Sequence, residues 1–182
     1  MTLSKIDNFV KEVKLTKNID TSRWKEFKIS DLFPTPKRGS NKATKFKGKI
    51  GKTPLIAASG YNEGISYLTT SEGAKLSNEN CLTMSANGAG VGSTFYRSEK
   101  FIATNDCWVL DNSNLTKNSG LFMATIISSV AKNNFAWTKK PSEKLLLKTK
   151  IKLPVDKKGE PDWEYMENYI KTLSLSLAKA LI

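Results

Sequence analysis

Residues 81–110, CLTMSANGAGVGSTFYRSEKFIATNDCWVL, consist of short apolar runs separated by turn-forming residues. Three runs, Cys81–Ser85, Ser93–Tyr96 and Cys107–Leu110, are rich in the β-branched, aromatic and aliphatic residues that favour strands. The glycine-rich segment 87–92 between the first two runs predicts a hairpin turn. This stretch therefore predicts the centre of a β core.

The same pattern continues on both sides of this stretch. Thr53–Ala58 and Ile65–Leu68 predict two further strands, and Ile151–Pro154 predicts a closing strand that ends at a proline. Ser119–Val130 is apolar on nearly every face, which is typical of a buried helix. The fold class predicted is α+β, with a twisted, mostly antiparallel β core, flanking helices and a C-terminal helix.

The first third of the chain gives less regular patterns. Ser4–Leu15 has apolar residues at helical spacing, and Trp24–Phe33 alternates apolar and polar residues like a short strand or turn packed on the core. Pro34–Lys52 is rich in glycine and lysine and contains two prolines. Its length and composition predict a long functional loop.

The chain is strongly basic and has no histidine. It carries 29 Lys and Arg against 17 Asp and Glu, a net charge of +12 over 182 residues. This excess predicts an acidic partner, most simply a phosphate backbone. Histidine is the commonest general acid/base near neutral pH and the commonest metal ligand, so its absence argues against catalysis. No cofactor or metal is expected.

The two cysteines and the glycine cluster have ordinary explanations. Cys81 and Cys107 form no CxxC pair, so we expect buried structural thiols in a reducing cytoplasm. The cluster NGAGVG at 87–92 superficially resembles a nucleotide-binding fingerprint. Such a site requires a helix to begin there, and the residues that follow, Ser93–Arg97, are strand-like.

The basic residues are concentrated in two clusters. One lies between Asp31 and Glu63, where no acidic residue occurs, and the other runs from Lys132 to Lys152 with Glu143 as its one acid. Either cluster could be a solvated face, but polar residues suited to base edges lie beside them. The candidate contacts are Lys37, Arg38, Asn41, Lys42, Lys45, Ser59, Tyr61, Asn62, Arg97, Lys139 and Lys140.

A narrow apolar stripe marks the last helix, for which Asp162 is the predicted cap. Its members are spaced three or four residues apart: Trp163, Met166, Ile170, Leu173, Leu177 and Leu181. This spacing fits a helix packed on its own domain, and it fits equally a surface for a partner helix. The sequence leaves both interpretations open.

Four segments resemble target-recognition domains of Type I restriction–modification specificity subunits. They are TPLIAASGYNEGI (53–65), residues 82–110, IKLPVDKKGEPDWEYMENYIKTL (151–173) and the W-x-x-F-x-x-x-x-L-F run from Trp24 to Phe33. The resemblance implies an α/β domain whose loops read one half of a bipartite DNA site, and a helix that pairs with its counterpart. It also implies that modification subunits supply S-adenosylmethionine and methylate adenine, and that restriction subunits cleave.

The combined expectation is a non-catalytic component that recognises a double-stranded DNA sequence in the cytoplasm. The expected units are an N-terminal helix and connection (1–23), a DNA target-recognition domain (24–155) and a C-terminal helix (156–182). The single domain and short last helix suggest a half-subunit, which could form a homodimer, or an excised domain. No apolar stretch suggests a membrane anchor.

Two alternatives stay open. One is a docking or regulatory module that joins a methyltransferase complex through its C-terminal helix. The other is a general RNA-binding protein.

Overall fold

A computed structural model describes residues 19–136 and 138–180, so the helix predicted over Ser4–Leu15 lies outside the described residues. The strands are β1 Lys25–Lys28, β2 Lys37–Arg38, β3 Thr53–Ile56, β4 Ile65–Thr69, β5 Leu76–Ser77, β6 Cys81–Ser85, β7 Thr94–Arg97, β8 Phe101–Ala103, β9 Cys107–Asp111 and β10 Lys150–Leu153. The α-helices are α1 Ile29–Leu32, α2 Lys117–Asn134, α3 Glu143–Lys148 and α4 Trp163–Ala180, and 3-10 turns occur at Ala43–Phe46 and Asn62–Gly64.

Two four-stranded sheets form the core of the described domain. The inner sheet has the order β2-β9-β6-β7 and is antiparallel throughout. The outer sheet has the order β4-β3-β8-β5, in which β3 and β8 run parallel. Strands β1 and β10 form a separate antiparallel pair. The predicted α+β class with a mostly antiparallel core is confirmed.

Alternation along the strands explains how the layers stack. In β9, Cys107 and Val109 face the outer sheet, whereas Trp108 and Leu110 belong to the core on the side of α2. In β8, Phe101 and Ala103 fill the space between the two sheets. Because successive side chains of a strand point to opposite faces, an apolar run of this kind fits a strand covered on both sides.

The region around Trp24–Phe33 divides into a strand and a helical turn. Strand β1 pairs with β10, and α1 follows it directly. The Asp31 carboxylate accepts a hydrogen bond from the Lys28 backbone N–H at 2.9 Å, which caps this short helix. The prediction of a strand or turn for the whole segment was therefore incomplete.

The segment Pro34–Lys52 is not a long unstructured loop. It contains β2 and a 3-10 turn whose Phe46 is fully buried against Leu55 and Ile102 of the outer sheet. The Thr69 hydroxyl donates to the Phe46 carbonyl at 3.2 Å, which fixes the segment further. Burial of Phe46 therefore holds the polar segment 34–52 over the outer sheet, and we call these residues the cover segment.

The two long helices pack on the other side of the inner sheet. Helix α2 begins at its cap Thr116, whose side chain accepts from the Ser119 N–H, and α4 begins after Asp162, whose carboxylate accepts from the Tyr165 N–H at 2.8 Å. In α4, Met166 is fully buried and Trp163 packs against the same core. The first half of α4 therefore packs on its own domain.

Candidate nucleic-acid interface

Several turns of the two sheets meet at one end of the domain. They are residues 57–64 after β3, 86–93 between β6 and β7, and 104–106 between β8 and β9. The last turn of α2 and the described chain after it, residues 132–136 and 138–142, reach the same end. We call these four segments, together with Arg38, the loop end.

Direct contacts join these segments into one surface. The Ser85 hydroxyl accepts from the Ser59 N–H at 3.1 Å and donates to the Ser59 carbonyl at 2.8 Å. The Ala86 N–H donates to the Asp106 carbonyl at 2.9 Å. Gly92 lies so close to the end of α2 that a Cβ there would be 2.9 Å from the carbonyl carbon of Ala131.

The glycine cluster 87–92 allows the neighbouring turns and the end of α2 to pack closely together. It connects the antiparallel strands β6 and β7, so the predicted hairpin is confirmed. A Cβ on Gly90 would lie 2.3 Å from the backbone nitrogen of Gly60, so only glycine lets the two turns come this close. The segment after the turn is strand β7, which does not supply the helix N-terminus that a dinucleotide fingerprint needs.

Arg38 is held at the loop end with its side chain exposed. Its guanidinium donates to the Asn105 carbonyl at 2.7 Å and lies 4.8 Å from the ring centroid of Trp108. The Trp108 indole N–H in turn donates to the Pro141 carbonyl at 3.0 Å. A stacked guanidinium keeps donors available for an incoming phosphate or base.

Further cations occupy residues 132–136 and 138–142. Lys132, Lys139 and Lys140 are exposed, and paired backbone hydrogen bonds between Ala136 and Lys139 shape the turn that carries the last two. The structure thus brings the predicted residues Lys139 and Lys140 to the same end as Arg38. Sequence reasoning did not select Lys132, although its position at the start of the second basic cluster signalled it.

A cleft of about 500 Å³ runs between the turn 57–64 and the end of α2. Small residues, among them Gly60 and Gly88, line one side, and Lys132 and Phe135 line the other. At these glycines no side chain covers the backbone of the turns, and Tyr61 lines the same cleft. A cation beside an open backbone is suited to a sugar–phosphate strand.

Tyr61 projects from the loop end. Its side chain is 85% exposed, and it is followed by three residues in the left-handed region, with φ of 46° at Asn62, 52° at Glu63 and 76° at Gly64. The Tyr61 N–H donates to the Ser59 hydroxyl at 3.1 Å, and its carbonyl accepts from the Gly64 N–H at 2.8 Å. The turn is therefore well defined although its tip is exposed.

The neighbouring predicted residues are partly used within this turn. The Ser59 hydroxyl also donates to the Tyr61 carbonyl at 3.1 Å. The Asn62 side-chain amide donates to the Ile65 carbonyl at 3.0 Å, while its residue stays exposed. Of the three side chains, Tyr61 is the one that extends freely from the domain.

Two of the predicted contact residues are buried. Asn41 is 8% exposed, and its amide binds the Lys75 carbonyl at 2.8 Å and the Ala103 carbonyl at 3.0 Å. Arg97 is 5% exposed, donates to the Thr83 hydroxyl at 2.9 Å and contacts the Glu63 carbonyl. Both side chains are occupied by contacts within the domain.

Burial also changes the acid–base properties of Arg97. Loss of solvent lowers the pKa of its guanidinium from the ordinary value, and the nearby Glu63 opposes this shift. The sequence showed an arginine at the end of a strand beside a turn, which is the same pattern for a base contact as for an internal brace.

The remaining predicted lysines lie along the cover segment. Lys37 forms an exposed ion pair with Asp111 at 3.1 Å, and Lys45 contacts the Gly73 carbonyl. Lys42 is exposed and follows Asn41, whose carbonyl accepts from the Asn105 N–H at 3.2 Å. Lys42 is therefore next to the loop end, whereas Lys45 lies farther along the outer sheet.

The two thiols are free and buried, and burial disfavours their thiolate forms. Burial raises the pKa of Cys81 to about 12 and that of Cys107 to about 12, so the thiolate that nucleophilic chemistry or metal binding requires is not formed near neutral pH. Among residues 19–136 and 138–180, no group of three or more His, Cys, Asp or Glu side chains is arranged to hold a metal ion.

The family follows from a match over nearly the whole described chain. The model of the Type I restriction modification DNA specificity domain matches residues 21–180. The chain belongs to this family. The resemblance seen in the sequence is confirmed, and the loop end is the part of this specificity domain where basic side chains and exposed turns meet.

Known relatives agree with this assignment. The specificity subunit S.BcgI of the Type II restriction enzyme BgcI from Heyndrickxia coagulans is 31% identical over 149 residues, which is 81% of this chain and 42% of that protein. The Type I restriction–modification S subunit from M. genitalium shares the fold, with a TM-score of 0.63 at 13% identity, over 97% of this chain and 51% of that one.

A second structure, the HsdS subunit from Thermoanaerobacter tengcongensis, has a TM-score of 0.61 at 12% identity, over 97% of this chain and 46% of that one. These identities show a common fold alone. The specificity domain spans about half the length, or less, of each of these three relatives. No helix in the part of the chain that the structure describes is long and apolar enough to cross a membrane.

Proposed function

We propose that this specificity domain recognises a sequence in double-stranded DNA as the non-catalytic specificity component of a restriction–modification system. The observation that carries the proposal is the loop end, where cations and exposed turns lie together in a domain of the DNA specificity family. Modification subunits carrying S-adenosylmethionine are the expected partners, with restriction subunits joining them in the cytoplasm.

The residues divide into two roles. Arg38, Lys42, Lys132, Lys139 and Lys140 surround the turns and contact phosphates, which sets the register of the domain on the duplex. Tyr61, which extends from the turn 57–64, and the exposed Asn62 beside it contact base edges in a groove. Asn41 and Arg97 shape the surface from inside instead of touching DNA.

A second role is proposed for the C-terminal half of α4. Leu173 is half-buried and Leu175 is 56% exposed, beyond the part of the helix that packs on its own core. This apolar surface is suited to a partner helix, as the stripe through Leu177 and Leu181 suggests. The side chain of Leu177 and the whole of Leu181 lie outside the described parts. Pairing of this helix with the same helix of a second copy would give a homodimer.

Neutralising loop-end charges tests the DNA surface. The variant carrying Lys132→Gln and Lys139→Gln is compared with one carrying Lys157→Gln and Lys158→Gln, which loses the same net charge in the turn before α4. The control lysines lie away from the loop end, because they precede α4, and Glu167 of α4 accepts from Asn118 at the opposite end of α2. Each lost phosphate contact lowers the salt slope of duplex binding by about 1.

The expected result is a salt slope reduced by about 2 and affinity reduced about tenfold or more for the Lys132/Lys139 variant, with little change for the control. Fluorescence anisotropy of a labelled duplex at a series of salt concentrations measures both. Equal losses in the two variants would show that binding follows net charge alone, without a dedicated surface.

A further inference from the structure

Tyr61 is placed unusually for a large aromatic side chain. It is 85% exposed, and within the described chain its hydroxyl has no hydrogen-bond partner. Folding gains little from an aromatic ring left in water, so its role is not explained by stability. An exposed aromatic carrying a free hydroxyl offers both an apolar face and a donor–acceptor group to a ligand.

The backbone beneath Tyr61 is fixed from several directions. The Ser85 hydroxyl holds both the N–H and the carbonyl of Ser59, two residues before Tyr61. Gly90 packs against Gly60 so closely that no Cβ fits between the two turns. Arg97 holds the carbonyl of Glu63, two residues after Tyr61. Anchors thus lie on both sides of the exposed residue.

The anchors themselves are buried residues of the inner sheet. Ser85 ends β6 and is 3% exposed, and Arg97 ends β7 and is 5% exposed. The Arg97 side chain is held by the Thr83 hydroxyl at 2.9 Å and lies 5.7 Å from the centroid of the Phe95 ring. The sheet therefore determines where the tip of the turn stands.

The tip is also held in a costly conformation. Asn62 and Glu63 both adopt positive φ, which L-residues rarely do, immediately before Gly64. Such a conformation persists only when the surroundings impose it, and it is common where a side chain must be presented in one orientation.

We propose that Tyr61 is a specificity-determining residue that reads base edges, and that Ser85 and Arg97 are positioning residues that hold its turn ready for DNA. The inference rests on the proposed function. A pre-formed turn meets DNA without first losing conformational freedom, so its binding energy can be used for discrimination. The bracing residues never touch DNA and act through the turn.

The direct test replaces Tyr61→Ala and measures discrimination, the ratio of affinities for a preferred duplex and a scrambled duplex. The preferred duplex comes from selection on the wild-type domain out of a random pool. Leu68→Ala, a control that removes another exposed apolar side chain, lies on β4 away from the loop end. The expected outcome is a discrimination ratio lowered about tenfold by Tyr61→Ala, with scrambled-duplex affinity within about twofold of wild type.

The brace has its own matched control. Ser128 uses its hydroxyl as Ser85 does, since it accepts from the Thr94 N–H at 2.8 Å and donates to the Thr94 carbonyl at 3.2 Å, but it acts on β7. We expect Ser85→Ala to lower discrimination about fivefold and to speed amide exchange of Gly64 by a similar factor. Ser128→Ala should leave both unchanged.

The outcomes separate the two proposals. A wild-type domain that prefers no duplex sequence overturns the proposed function and this inference together. A wild type with a clear preference that Tyr61→Ala retains overturns the role of Tyr61 alone. If Ser85→Ala speeds exchange at Gly64 but leaves discrimination unchanged, the turn needs no bracing to read DNA and the positioning role is wrong.

Discussion

Arg97 brings a guanidinium into the space between the edge of the inner sheet and the turn 57–64. A buried charge is costly unless its donors are satisfied, and here a threonine hydroxyl and a backbone carbonyl accept from it. The guanidinium also lies over the Phe95 ring, 5.7 Å from the ring centroid. At the residue scale, the domain uses a charged side chain to connect a sheet with an exposed turn.

Replacing Arg97→Met should therefore destabilise the domain. Methionine fills a similar volume but leaves the Thr83 hydroxyl and the Glu63 carbonyl without their donor. The free energy of unfolding should fall by about 1–3 kcal/mol, measured by urea denaturation. Arg23→Met, at an exposed position before β1, is the control and should change little. Equal free energies of unfolding for the two variants would mean that the internal contacts of Arg97 do not stabilise the domain.

At the element scale, the junction between α4 and α2 depends on one carboxylate. Glu167 accepts hydrogen bonds from the Asn118 amide at 2.8 Å, from the Ser119 N–H at 3.3 Å and from the Thr116 hydroxyl. These donors favour the ionised form and lower the pKa of Glu167 below its ordinary value of 4.5. The carboxylate also lies at the N-terminus of α2, where a negative charge is favourable.

This contact predicts a pH dependence. Because the folded pKa is lower than the unfolded one, Glu167 contributes stability above about pH 4.5, and the contribution is lost as the pH falls through the folded pKa. Glu167→Gln should lower stability at pH 7 and flatten its decline on acidification. Glu164→Gln, an exposed carboxylate on the same helix, is the control. Parallel pH curves for Glu167→Gln and wild type in thermal unfolding would contradict this role.

The second half of α4 predicts association through a helix. Leu173→Asp and Leu177→Asp should weaken self-association or binding to a modification subunit about tenfold or more, because a charge would be buried in the helix interface. Size-exclusion chromatography with light scattering measures the mass, first for the domain alone and then with the subunit. A wild type that stays monomeric and unbound in both would argue against a partner surface on this helix.

The strands and long helices could be predicted because their patterns are local. Cys81–Ser85 was predicted with the bounds that the structure has, and the buried helix and the capped last helix were also found, with different ends. Strand β8, three residues long, was missed because so short an apolar run has no readable period. The parallel pairing of β3 with β8 joins residues far apart in sequence, and no local pattern specifies it.

The candidate surface was predictable in composition but not in arrangement. Lysine clusters and polar turns pointed to Arg38, Tyr61 and Lys139, which the fold brings to one end. Asn41 has the same polar chemistry as Asn62, yet its amide lies at 8% exposure between two backbone carbonyls. Whether a polar side chain faces water or the interior depends on tertiary packing, which single-residue chemistry does not encode.

At the scale of the whole molecule, the net charge of +12 is distributed unevenly over the surface. Exposed cations surround the turns of the loop end and continue through Lys42 along the cover segment over the outer sheet. The first half of α4 packs at the opposite end of α2, where Glu167 accepts from Asn118. The domain thus presents its basic turns at one end and its C-terminal helix from the other.

The most direct test of the central claim is selection by the wild-type domain from a random duplex pool, with and without the modification subunit and at physiological salt. A DNA-reading domain enriches a short half-site motif, or two copies at fixed spacing if it dimerises, and unlabelled RNA does not compete. A pool that stays random, or equal competition by RNA, would contradict the account.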